Sequence, residues 1–143
     1  MRGGRQADLS NVRPIHPLRV LLVGRDKRYL RVTSFLLARQ GFEVESGAKP
    51  DKALDLVDRH HPSVVVLEAE SSLAACARTA ATLKALYPRI GVVVVTNDGA
   101  RRTTGLRTVA KWSPIERLID EVELAYIGLP TSVMPLTAVE EAE

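Results

Sequence analysis

Apolar residues fall into two rhythms along this chain. Three short runs, Arg19–Val23 (RVLLV), Ser63–Glu68 (SVVVLE) and Ile90–Thr96 (IGVVVVT), are nearly pure Val, Leu and Ile. Strands of that kind are buried on both faces, as in a parallel sheet. Two shorter runs, Phe42–Ser46 (FEVES) and Leu106–Lys111 (LRTVAK), read as further strands. Between the strands the spacing is helical. DKRYLRVTSFLLARQG predicts a helix packing through Leu30, Ser34, Phe35 and Leu37, capped by Asp26 and ended by Gly41 at C′. PDKALDLVDRHH is a second helix, opened by Pro50 and closed before Pro62. A third runs from Leu73 to about Tyr87 and stops at Pro88. The last carries Ile115, Leu118, Ile119, Val122 and Tyr126 at helical spacing to about Ile127. SPIE before it reads as a capping box, with Ser113 at N-cap, Pro114 at N1 and Glu116 at N3.

Strands alternating with helices predict an α/β fold, a doubly wound five-stranded parallel sheet. In that architecture ligands sit at the carboxyl ends of the strands. The residues leaving those ends are Gly24, Arg25 and Asp26, then Glu68, then Thr96, Asn97 and Asp98, then Lys111. Glu68 is the oddest of them, a carboxylate closing a wholly apolar run.

Composition narrows the reading. With 143 residues the chain fits one domain, expected over 18–127, with a flexible arm at 1–17 and a tail or linker at 128–143. Hydrophobic residues make up 45% and aromatics 4%, so the core is aliphatic. The single cysteine, Cys76, excludes an internal disulfide and fits a packing role in a reducing compartment. No apolar run approaches the ~20 residues of a membrane span, so a cytoplasmic protein is expected. The net charge of +3 is mild and lies largely in the arm. It is no nucleic-acid signature, and without a helix-turn-helix pattern no direct DNA binding is expected. VGRDKR lacks the glycine spacing of a dinucleotide-binding loop.

The strand ends resemble those of the receiver domains of two-component response regulators, over about residues 18–127. Glu68 falls where that family has its phosphorylated aspartate, Thr96 where it has a hydroxyl contacting the phosphoryl group, and Lys111 where it has its lysine. GFEV and ALDLVDRHHPSVVVLE are also phrased like the family. The resemblance implies a flavodoxin-like sheet of order 2-1-3-4-5. The segment between Thr96 and Lys111 is about two helical turns short, so the fourth helix is expected to be reduced or missing.

The departures from the family carry the functional reading. The acidic pair that holds Mg²⁺ is replaced by Gly24 and Arg25, the switch aromatic by Thr108, and the proline after the lysine by Trp112. Phosphoryl transfer needs a cation to neutralise the moving group, and Mg²⁺ needs oxygen ligands where Arg25 offers a positive charge. Glu68 is also one methylene too long. Asp26 is the one acid available for a rescue, but its capping role explains it better. A pseudo-receiver is therefore expected: not an enzyme, binding no Mg²⁺, working through another signalling protein. Any homodimer should avoid the fourth-helix face. The expected site is a half-exposed cluster in which the Arg25 and Lys111 side chains flank Glu68 and the Thr96 hydroxyl donates to it, each pair worth about 1 kcal/mol or less. Two other readings stand beside it: a nucleotide or anion sensor using Arg25, Lys111, Arg101 and Arg102, and an unusual phosphoryl relay. Trp112 is either an exposed interface anchor or packing for the last helix.

Overall fold

The computed structural model describes residues 18–69, 73–97 and 106–128. Five strands, β1 (Arg19–Val23), β2 (Glu43–Gly47), β3 (Val64–Ala69), β4 (Gly91–Thr96) and β5 (Arg107–Ala110), form one sheet. All neighbours are parallel and the spatial order is β2-β1-β3-β4-β5. This is the predicted doubly wound sheet. Every residue of β3 and β4 is buried, as their unbroken apolar runs require. Edge strand β2 is mostly exposed, matching its polar alternation.

Side chains alternate between two helical layers. Val20, Leu22, Val64, Val66, Val93 and Val95 face a core closed by α1 (Lys27–Arg39) and α4 (Ile115–Ile127). Leu21, Val23, Val65, Leu67 and Val92 face the opposite core under α2 (Ala53–His60) and α3 (Leu73–Leu86). A single 3-10 turn, Pro50–Lys52, leads into α2.

The helix boundaries hold closely, but three local expectations need correction. Helix α1 buries Tyr29, Leu30, Thr33 and Leu37, and Phe35 lies on the far side of that arc, 61% exposed. On α4, Ala125 completes the buried stripe of Leu118 and Val122, while Tyr126 stays half exposed. The capping box does not form: the α4 N-cap is Pro114, with no side-chain cap, and Ser113 Oγ donates instead to the Ala110 carbonyl at 2.7 Å. The tight turn out of β5 claims the serine before the helix can use it.

Gly41 takes a left-handed φ of 100° just past the end of α1, the expected helix stop. Among the described residues no helix stands between β4 and β5. The expectation of a reduced fourth helix falls largely on residues 98–105, outside the described residues, as do the arm at 1–17 and the tail from 129 onward. No helix among the described residues is long and apolar enough to cross a membrane.

Candidate functional site

Glu68 continues the stripe of Val64 and Val66 one period further, so β3 itself aims its side chain at the α1–α4 side of the sheet. There the carboxylate is buried, with 1% of its side chain exposed. A buried carboxylate needs partners for both oxygens. Oε1 accepts the main-chain N–H groups of Arg25 at 3.0 Å and Asp26 at 3.1 Å. Oε2 accepts from Lys111 Nζ at 2.6 Å. Charge-assisted bonds of this length are among the strongest a protein makes.

Lys111 stands one residue beyond β5, its N–H tied to the Thr96 carbonyl at 2.8 Å. Its ammonium bridges two acids, reaching Asp26 Oδ2 at 2.8 Å as well as Glu68. The Tyr29 ring lies 5.5 Å away, within cation–π range. Burial alone would lower the Lys111 pKa, but the hydrogen bonds to Asp26 and Glu68 outweigh it and the net direction is up. Asp26 works twice: Oδ1 accepts the Tyr29 N–H and caps α1, while Oδ2 holds Lys111. The Lys111 hydrogen bond, then that of Tyr29, pull its carboxyl below the ordinary range. Burial pushes the Tyr29 phenol up. Cys76 reaches the Leu67 carbonyl from the other side of β3. Burial first, and the Glu68 charge second, push its thiol up to about 11, which leaves it a poor nucleophile.

Gly24 makes the arrangement possible. A Cβ there would run into Glu68 Oε1 and stand 2.6 Å from the Glu68 Cβ. The glutamate carboxylate thus fills the space that a side chain at position 24 would need. Sequence reading treats Gly24 as a lost acid; the structure shows it as the room into which Glu68 folds back.

The expected cluster is therefore half right. Glu68 and Lys111 come together, but Arg25 contributes its main-chain N–H and leaves its side chain exposed, with no ion pair among the described residues. The guanidinium is turned out because α1 begins here and its N-cap geometry points the backbone, not the side chain, at Glu68. The site is also buried rather than half exposed, so the weak surface-pair energetics do not apply to it. Thr96 is buried at the end of β4, paired in register with Ala69 and Ala110. Thr108 sits in β5 opposite Val94. Trp112 is 52% exposed, at a left-handed φ of 67°, edge-on to Tyr29 at 5.1 Å and stacked by Arg28 at 5.6 Å. It is thus half exposed, with its covered part packed on Tyr29. Arg101 and Arg102 lie outside the described residues. Tyr29 and the Asp26–Lys111 pair were missed; an acid already explained as a helix cap gave no signal of a second duty.

No family model matches the sequence, and no curated protein does. Solved structures do. The response regulator TrrA from Thermotoga maritima, in complex with Mg²⁺ and BeF, superposes with a TM-score of 0.67 at 16% identity, covering 76% of this chain and 98% of that one. A CheY-like receiver domain from Methanospirillum hungatei gives 0.66 at 18% identity, covering 78% and 94%. One from Clostridium thermocellum gives 0.64 at 16%, covering 77% and 94%. The chain has the receiver fold. Within that receiver fold, Glu68, Lys111 and the β1–α1 turn meet where the sheet topology gathers its strand ends.

Proposed function

We propose that this chain is a receiver-like regulatory module of signal transduction that works without phosphorylation, by binding another protein, and that it is not an enzyme. One observation carries the reading: both oxygens of the carboxylate at the strand end are already occupied, one by two main-chain N–H groups and the other by Lys111. Such a carboxylate is buried, held in place and weakened as a nucleophile by the donors on both its oxygens, and the lysine that would steady the product is shared between two acids.

The receiver TrrA was solved with Mg²⁺ and BeF. The donor set here does not fit Mg²⁺, which asks for several oxygen ligands in near-octahedral array. Gly24 offers no side-chain oxygen, the Arg25 side chain is a cation, and both Asp26 oxygens are engaged. Lys111 stands in as the permanent cation of the site and offsets part of the charge of its two carboxylates without metal or phosphate. An anion sensor built on Arg25 and Lys111 has less support, because Lys111 is already committed to two carboxylates.

The test is intact-mass analysis of the full chain after incubation with acetyl phosphate and Mg²⁺. No mass gain is expected. A phosphoryl adduct that disappears in Glu68→Gln would overturn the proposal.

A further inference from the structure

The outer face of the α1–α4 layer carries two stripes that the site does not use. On α1, Arg28, Val32, Phe35 and Arg39 follow one another at helical spacing. Val32 and Phe35 are 38% and 61% exposed, and Arg39 lies over the Phe35 ring at 5.8 Å. On α4, Glu116, Ile119, Glu123 and Tyr126 do the same, with Tyr126 48% and the adjoining Ile127 65% exposed. The two helices pack on the same face of the sheet.

Their charges are opposite. Helix α1 has four basic residues and no acid, whereas α4 has four acids and one arginine. Arg28, Arg39, Glu116 and Glu123 make no ion pair with any described residue. Each stripe therefore combines apolar residues with charge of one sign, positive on α1 and negative on α4. A two-fold axis through such a face brings each α1 against the partner copy's α4, so that every contact is satisfied twice.

We infer that the α1–α4 face is a self-complementary interface and that its occupant is a second copy of this chain. Apolar residues supply the area, Val32 and Phe35 on one helix and Tyr126 and Ile127 on the other. The unpaired charges fix the orientation, since a parallel pairing of like helices would set basic α1 on basic α1. The inference does not depend on the state of Glu68, and its readout is independent of phosphorylation.

The experiment is sedimentation equilibrium on the full chain. A dimer is expected, weakened by rising salt and lost in Phe35→Glu. Two charge-reversed variants give the decisive arm. Arg28→Glu with Arg39→Glu, and separately Glu116→Lys with Glu123→Lys, should each be monomeric with an unchanged far-ultraviolet circular dichroism spectrum. Mixed in equal amounts they should recover the dimer, because each reversed helix then meets its complement. A wild-type chain monomeric up to about 1 mM overturns the inference. So does a dimer that survives both reversals, or a mixture that stays monomeric. Should the reversed variants unfold, the salt titration of the unmodified chain decides: a dimer insensitive to salt overturns it.

Discussion

Two ion pairs sit at opposite ends of the same sheet, and they differ in nearly everything but charge. Lys111 and Glu68 meet at 2.6 Å at the carboxyl end, with 8% and 1% of their side chains exposed. Arg19 and Glu43 meet at 3.2 Å at the amino end, with 56% and 55% exposed, on register partners of β1 and β2. The outer pair sits in water, and each member would be nearly as well solvated alone. Glu68 has given up its water, so it depends on every partner it has: two N–H groups, one ammonium, and the gap left by Gly24. Burial, rather than the ion pair itself, turns a charged contact into a structural commitment.

The largest expected effect comes from removing one member of each pair. Lys111→Ala leaves Glu68 buried and uncompensated and should cost about 3 kcal/mol or more in urea denaturation, the range for breaking a buried pair. Arg19→Ala should cost less than about 1 kcal/mol, and that cost should shrink in high salt. Equal losses at the two sites would abolish the distinction.

Next in size is Gly24→Ala. The added Cβ has no room beside Glu68, so the strand end must shift, at a cost of about 1–3 kcal/mol as for other overpacked sites. A neutral or stabilising result in the same titration would mean that Glu68 does not fold back over Gly24.

The pH profile sharpens the contrast further. Asp26 titrates below its ordinary 3.8 in the folded chain, so its contribution is present above that value and lost as the pH falls through the depressed one. Lys111 titrates above its ordinary 10.5, so its contribution is present below that value and lost as the pH rises through the raised one. Thermal unfolding should therefore show a plateau between these limits, and Asp26→Asn should flatten the acid limb. An acid limb unchanged by that substitution would remove Asp26 from the network.

The smallest effect is expected at Arg25. Its side chain is exposed and makes no ion pair among the described residues, so Arg25→Ala should lie within about 0.5 kcal/mol of wild type, as at ordinary surface positions. A double-mutant cycle with Glu68→Ala should show no coupling, whereas Lys111 with Glu68 should be strongly coupled. Coupling of Arg25 to Glu68 would restore the guanidinium to the site.

The sequence by itself determined the parallel sheet, the order of helices and strands, and the gathering of Glu68, Thr96 and Lys111 at strand ends. Those features follow from periodicity and from residues that punctuate it, which act over a few positions: Val-rich β3 and β4, Asp26 as cap, Gly41 and Pro88 as stops. Tertiary structure alone decided what the gathered residues do. Whether Arg25 offers its guanidinium or its N–H depends on how α1 leaves β1, and whether Gly24 is a loss or a necessity depends on a side chain from β3 many residues away. Asp26, legible as a cap, becomes a partner of Lys111 only because β5 ends beside α1. Distances and burial between segments remote in sequence are set by packing, and no local pattern carries them.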